Sequence, residues 1–133
     1  MKVVLWVLQG LLALQFLFHG YIMLMPPPEL LDIMNAQFSP AFRIFVGAAE
    51  SLGALGLILP GLTRIAPRLT VWACRGLMIV AGSAAGLHLS RGETSSAVIT
   101  FVLFVLLGFV AYMRAARLPL PSRINSQQFQ TMN

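Results

Sequence analysis

The chain has few charged residues and almost no cysteine, and both shortages exclude classes of function. Only 10% of its 133 residues are charged, whereas a soluble domain of this size needs a charged surface. The single cysteine, Cys74, excludes an internal disulfide and any CxxC redox or zinc site. The sequence also lacks a phosphate-binding glycine loop, an HExxH motif and a Ser-His-Asp grouping with usable spacing. No soluble-enzyme mechanism is therefore visible.

Acidic residues are scarce too, and the chain carries 4 of them against 9 lysines and arginines. The resulting net charge of +5 does not indicate nucleic acid as a partner, because the basic residues cluster at the ends of apolar segments and form no stripe. The sequence is instead rich in hydrophobic residues, which make up 58% of the chain and give a mean hydropathy of +0.83. These values predict an integral membrane protein in contact with the lipid bilayer.

Four apolar stretches predict an all-α bundle of four transmembrane helices, in one membrane domain over residues 1–117. The spans cover about residues 3–25, 40–59, 67–89 and 95–112, and about 20 apolar residues cross the hydrocarbon core. Since the backbone in lipid must satisfy its own hydrogen bonds, these spans have to be helical. Pro60-Gly61 is expected to end the second span. We expect the first span to stay as an anchor, because its apolar run is too long for a signal peptide.

The basic residues predict the orientation of the spans. If the spans alternate, one side of the membrane receives Lys2, Arg64, Arg68, Arg114, Arg117 and Arg123. The positive-inside rule then places both termini in the cytoplasm. The segment 26–39 would lie outside, either as a short amphipathic segment in the interface or as a plain surface loop. The tail, residues 118–133, is rich in Pro, Ser, Gln and Asn and is predicted to be disordered.

The few polar residues inside the spans predict an internal polar cluster, because a charge within a membrane helix normally faces protein or water. Counted from the cytoplasmic ends at about 1.5 Å per residue, Arg75 and Glu50 both lie at roughly 12–14 Å. By the same count His19 and Arg43 lie at roughly 24 Å, with Gln15 between the two layers. The predicted cluster therefore consists of Gln15, His19, Arg43, Glu50 and Arg75.

Small residues on the same helix faces predict where helices pack. Gly47 shares a face with Glu50 on the second span. Gly82 and Gly86 on the third span form a GxxxG pair, which allows another backbone to approach closely. The fourth span is expected to face mostly lipid or a partner subunit.

The roles of the buried ionisable residues stay open at this point. Glu50 can form a structural ion pair with Arg75, or it can be a proton-handling carboxyl or a substrate-site residue. His19 can make one hydrogen bond in the bundle or can bind metal, haem or quinone. Haem is disfavoured because the second histidine, His88, is offset in depth from His19 by several Å.

Three stretches resemble the DoxX family of small bacterial membrane proteins, in its DoxX-like branch. They are FHGY at 18–21, AESLGALGLILPG at 49–61 and HLSRGE at 88–93, and the resemblance covers about residues 4–118. The positions that match the family pattern are His19, Gly20, Glu50, Gly53, Pro60, His88 and Glu93. The last two add a candidate site at the outer end of the bundle.

The resemblance implies a four-helix bundle in the bacterial inner membrane, and some members are named as subunits of quinone-linked oxidases or of a thiosulfate:quinone oxidoreductase. Three functions follow as expectations. The chain is an accessory subunit of a membrane oxidoreductase, with quinone between its helices and Glu50 or His19 exchanging protons. Alternatively it is a structural or partner-stabilising protein, or a homo-oligomer assembled through GxxxG. The third reading is a small-solute carrier.

Overall fold

The computed structural model describes residues 1–132, apart from the side chains at 125 and 126, and this part of the chain is all-helical. Its helices are α1 (Lys2–Leu24), α2 (Pro28–Gln37), α3 (Pro40–Thr63), α4 (Leu69–Ser90), α5 (Thr94–Tyr112) and α6 (Arg123–Thr131), with a π-helical turn at Met113–Arg117 after α5. Four of them, α1, α3, α4 and α5 with its π-helical extension, are long and apolar enough to cross a membrane. The predicted all-α architecture with four membrane helices is confirmed.

The four long helices alternate in direction, and each packs on the next in the order α1, α3, α4 and α5. On α1 and α3, Trp6 lies at Gly61 and Gly20 lies at Gly47, so the two helices are antiparallel. We call one end of the bundle the basic end, which carries Lys2, Arg64, Arg68, Arg114, Arg117 and Arg123. The opposite, acidic end carries Glu29, Asp32 and Glu93, so Glu50 is the one acidic side chain of the described residues that lies inside the bundle.

Two glycines let α1 and α3 approach closely. A Cβ added to Gly20 would lie 2.6 Å from Ser51 Oγ and 2.9 Å from the carbonyl oxygen of Gly47. The GxxxG pair of α4 behaves differently from the prediction. A Cβ at Gly86 would meet none of the described atoms within 4 Å, and one at Gly82 would only touch the Phe104 ring at 3.4 Å. Among the described glycines, the closest approach to the backbone of another helix is therefore between α1 and α3, and not at the GxxxG pair.

Pro60 lies inside α3 and does not end it. The helix continues to Thr63 and ends at Arg64, which has the left-handed φ of 58°. Proline has no N–H and so removes one backbone hydrogen bond, which neighbouring groups must replace in a membrane helix. The carbonyl that loses its helical partner is that of Gly56, four residues before Pro60. Gln9 of α1 adds a hydrogen bond next to it, because its Nε2 donates to the carbonyl oxygen of Leu57 at 2.7 Å.

The segments outside the four long helices are also helical. The segment expected as an interfacial helix or a loop contains α2, which has no buried residue. The tail predicted to be disordered contains α6, and before it Leu120 is buried and the Arg123 N–H donates to the Arg64 carbonyl oxygen at 3.1 Å. The last residue of that tail, Asn133, lies outside the described residues.

The close approach of α1 and α3 predicts a difference between two glycine substitutions. Gly20→Ala should lower the free energy of unfolding by about 1–3 kcal/mol, because the added methyl meets the Gly47 carbonyl. Gly86→Ala, where the described structure leaves space, should change it by less than about 1 kcal/mol. Detergent titration followed by circular dichroism measures both. Equal effects of the two substitutions would contradict the assigned packing.

Candidate functional site

A histidine–carboxylate pair joins α1 to α3 within the membrane-spanning part of the bundle. His19 Nδ1 lies 2.7 Å from Glu50 Oε2. The Glu50 side chain is only 5% exposed, whereas that of His19 is 46% exposed. When Glu50 is a carboxylate, Nδ1 carries the hydrogen and donates it, which leaves the His19 Nε2 as an acceptor on the neutral ring.

The position of the pair follows from the local sequence of both helices. Glu50 lies one turn from Gly47 on the face of α3 that is buried against α1. Gly20, next to His19, brings the two backbones close enough for a short imidazole to reach the carboxylate. The close approach thus places a polar contact where lipid offers neither partner a hydrogen bond.

Both members of this pair line a cavity of about 300 Å³ that is formed by all four long helices. We call it the histidine cavity. Its polar lining residues are Gln15, His19, Glu50, His88, Ser96 and Thr100, and its apolar wall includes Phe16, Val80, Ile99 and Leu103. The fourth span, expected to face mostly lipid or a partner, contributes Ser96 and Thr100 to this wall.

A second histidine–carboxylate pair lies at the acidic end of the same cavity. His88 Nδ1 is hydrogen-bonded to Glu93 Oε2 across the turn between α4 and α5. This pair is more accessible than the first, since Glu93 is an exposed residue. The sequence predicted His88 to lie with Glu93 at the outer end of the bundle, apart from the internal cluster. In the structure, His88 and His19 both line one cavity. Each histidine uses Nδ1 for its carboxylate, so each retains Nε2 for another partner.

The predicted cluster does not form as one group, because Arg75 and Arg43 lie elsewhere. The Arg75 guanidinium stacks on the ring of Trp72, with Cζ 5.0 Å from the ring centroid, and Glu50 pairs with His19 instead. Arg43 is buried at the acidic end and donates through Nη1 to the carbonyl oxygen of Met23, near the end of α1. Arginine at this position satisfies a helix-end carbonyl, which is a structural role.

The expected Glu50–Arg75 pairing fails because the ends of both helices differ from those predicted. With α3 continuing to Thr63, Glu50 lies about 20 Å from the basic end at 1.5 Å per residue. With α4 beginning at Leu69, Arg75 lies only about 9 Å from that end by the same measure. The two side chains are therefore offset along the bundle, and Glu50 is closer in height to His19.

A buried polar network near the basic end was missed by the sequence analysis. Gln9 is fully buried and accepts a hydrogen bond from Arg114 Nε at 2.6 Å, while Arg114 Nη1 donates to the Leu118 carbonyl oxygen at 3.2 Å. The sequence did contain a signal, because Gln9 shares the face of Leu5 and Leu12 at helical spacing. That face is the buried one.

The residues of the histidine cavity can transfer protons and donate hydrogen bonds, but they do not form a metal centre. Among the described residues, no group of three or more His, Cys, Asp and Glu side chains could hold a metal ion. A histidine whose Nδ1 is hydrogen-bonded to a carboxylate is oriented for acid–base chemistry at Nε2, and the carboxylate stabilises the ring when it is protonated.

Comparison with known proteins identifies the family of the chain. The sequence model of the DoxX-like family matches residues 7–110, which contain most of the membrane domain, and the chain belongs to this family. The match and the four apolar helices make it a multi-pass integral membrane protein. No curated protein and no solved structure gives a significant match to the chain.

The geometry of the pair predicts which residue is energetically coupled to Glu50. A double-mutant cycle with His19→Ala and Glu50→Gln should give a coupling of about 0.5–3 kcal/mol, because the two side chains share a hydrogen bond. The matched cycle with Arg75→Ala and Glu50→Gln should be additive within about 0.5 kcal/mol, since Arg75 contacts Trp72. Unfolding free energies measured in mixed micelles test both cycles. The reverse pattern would contradict the His19–Glu50 pair and support an ion pair between Glu50 and Arg75.

Proposed function

We propose that this member of the DoxX-like family binds a quinone headgroup in the histidine cavity and handles its protons, as an accessory subunit of a quinone-linked membrane oxidoreductase. One observation carries the proposal. A nearly buried carboxylate and its histidine partner both line a cavity to which all four membrane helices contribute. An ionisable residue inside a membrane protein that faces a cavity is a functional-site candidate by default.

The dimensions and lining of the cavity suit a single aromatic ring. A volume of about 300 Å³ is at the lower end of ligand cavities and does not accommodate a porphyrin. The walls are largely apolar and carry two sets of polar side chains. One set, on α1 and α3, is Gln15, His19 and Glu50, and the other, on α4 and α5, is His88, Ser96 and Thr100. A quinone ring has its two oxygens at opposite edges, so it offers one hydrogen-bonding atom to each group. Its isoprenoid tail would extend between the helices into lipid.

The His19–Glu50 pair can accept a proton as a quinol is oxidised. The quinol hydroxyl donates to His19 Nε2, and its O–H bond breaks as electrons leave the ring, so that the proton stays on the imidazole. The Glu50 carboxylate, bonded to Nδ1, stabilises the resulting imidazolium. His88, held by Glu93, is placed to take the second proton. The two electrons pass to a redox group of a partner subunit.

We further propose that the protein lies in a bacterial inner membrane with both termini in the cytoplasm. Support comes from charge, because six lysines and arginines lie at the basic end and three of the four acidic residues lie at the other. A fluorescent protein fused after residue 133 reports the side directly. It folds and fluoresces in the cytoplasm, whereas an intact fusion without fluorescence would show the opposite orientation.

A structural role is the second candidate, and a specific contact favours it. The His19–Glu50 hydrogen bond joins α1 to α3 next to the Gly20–Gly47 approach, so the same pair can act as a clamp between helices. Under this candidate, Glu50→Gln lowers the amount of folded protein in the membrane. Under the redox candidate, the same substitution leaves the protein folded and removes binding.

Filling the cavity should abolish quinone binding while the pair stays intact. Ala84 lines the cavity, so Ala84→Phe places a ring where the headgroup would lie. The matched control is Leu52→Phe, because Leu52 is exposed on the outer face of α3. We expect a photoreactive azidoquinone to label the wild type and Leu52→Phe in nanodiscs, and to label Ala84→Phe weakly. Native mass spectrometry of protein extracted from its own membranes should show a bound quinone that Ala84→Phe lacks.

Glu50→Gln separates the two candidates in the same assay. We expect affinity for a short-chain quinol to fall by about tenfold or more. The neutral amide no longer supplies the charge-assisted hydrogen bond that strengthens His19 as an acceptor, while the side-chain volume is kept. The protein should stay folded in the membrane, with a thermal midpoint lowered only as far as the weakened His19–Glu50 hydrogen bond requires. Equal labelling of all the variants, with folded protein reduced for Glu50→Gln alone, would reject the quinone site and favour the clamp.

A further inference from the structure

The basic end of the bundle contains a second cavity, which the proposed function does not use. It measures about 680 Å³ and lies between the turn before α4, the first turns of α4, the π-helical turn and the tail. We call it the arginine cavity. Three arginines line it, Arg68, Arg75 and Arg114, and none of the described residues that line it is acidic.

No acidic side chain in the described part of the chain lies near the positive charge of this cavity. The four acidic residues of the chain are Glu50, inside the bundle, and three residues at the acidic end. Arginines on two separate elements, α4 and the π-helical turn, thus converge on one space with the same sign of charge. Like charges that share a cavity repel one another, so an anion bound between them lowers the electrostatic free energy.

Arg114 gives independent support, because it is a buried cation with an unsatisfied donor. The residue is only 6% exposed, and its Nη2 is buried without a hydrogen-bond partner in the described part of the chain. Its other guanidinium nitrogens are used, with Nε bonded to Gln9 and Nη1 to the Leu118 carbonyl. A buried guanidinium hydrogen without an acceptor is costly. An acceptor oxygen placed in this cavity would reduce that cost.

The remaining walls identify the kind of anion. Trp72, Val71, Leu120 and Ile124 make part of the lining apolar, and Arg75 stacks on Trp72 at the edge of the space. A guanidinium fork matches the oxygens of a phosphate, and an apolar wall beside it suits the glycerol and acyl carbons of a lipid. Basic pockets between membrane helices are typical sites for acidic headgroups.

We propose that the arginine cavity binds the phosphate group of an anionic phospholipid, which is held by Arg68, Arg75 and Arg114 while its chains follow the apolar wall. The bound lipid connects α4, the end of α5 and the tail at the basic end. The site is distinct from the histidine cavity, and it depends on charge and not on proton transfer.

The test uses the full chain in nanodiscs and counts retained lipid by native mass spectrometry. Discs of zwitterionic phosphatidylcholine that contain a small fraction of phosphatidylglycerol or cardiolipin supply the probe. We expect one anionic lipid to be retained per chain. Arg75→Gln should weaken retention about tenfold, because a charge-assisted hydrogen bond is lost. Arg75 is exposed, so this substitution is compatible with folding even if Arg114→Gln is not.

Arg117→Gln is the matched control, because Arg117 lies at the same end and has the same charge but does not line the cavity. It should change retention by less than about twofold, as expected for an exposed charge screened by salt. If Arg117→Gln weakens retention as much as Arg75→Gln, the attraction is diffuse and the site is rejected. Retention no greater than that of phosphatidylcholine would also reject it.

A further arm of the experiment distinguishes a lipid from a free anion. Inorganic phosphate is titrated into phosphatidylcholine discs that contain a Trp6→Phe variant, in which Trp72 is the one remaining tryptophan of the chain. Its fluorescence is followed, since an anion that draws Arg75 from the ring changes its emission. We expect little response at millimolar phosphate, because the apolar wall contributes to lipid binding. A saturable response that Arg75→Gln removes would keep the phosphate site and assign it to the free ion.

Discussion

The structure depends on one constraint, which is that polar side chains inside a lipid-embedded bundle must find their partners on a neighbouring helix. This protein meets the constraint along α1, which is bonded to α3 at three heights. Gln9 reaches the Leu57 carbonyl near the basic end, and His19 reaches Glu50 farther along. At the acidic end, a buried arginine of α3 reaches a carbonyl of α1. The two helices are thus joined along most of their length, and the close approach at Gly20 makes the middle contact short enough to form.

The two cavities divide the bundle into regions with different chemistry. The histidine cavity is lined by the Glu50 carboxyl and two imidazoles and can exchange protons, whereas the arginine cavity holds fixed positive charge and can only attract anions. The buried Gln9–Arg114 network contributes its arginine to the second cavity and is separate from the first. Substitutions in one cavity can therefore be interpreted without reference to the other. In a chain of only 133 residues, this separation makes the effects of substitutions easier to assign to one cavity.

Much of the fold could be predicted from the sequence, because apolar length and helix periodicity set the four spans. The faces that carry His19 and Glu50 were also predictable, since each side chain follows from its phase on its own helix. The relative heights of side chains on different helices were not, because they depend on where each helix ends. Pro60 is a usual end signal in water-soluble helices, but in this bundle α3 continues past it with Gln9 as a neighbouring donor. This boundary and the later start of α4 together moved Glu50 away from Arg75.

The hydrogen bonds that α1 makes also bear on how the helices are inserted into the membrane during synthesis. Gln9 and His19 lie on α1, and the groups they bond to lie on α3, which emerges later from the ribosome than α1. Until α3 arrives, both side chains face lipid or the protein machinery that inserts them. Only the short segment 25–39 separates the two helices, so they can enter as a hairpin that satisfies most of its own polar groups. Arg114 follows α5, so its hydrogen bond to the Gln9 side-chain oxygen can form only after α5 has entered the membrane.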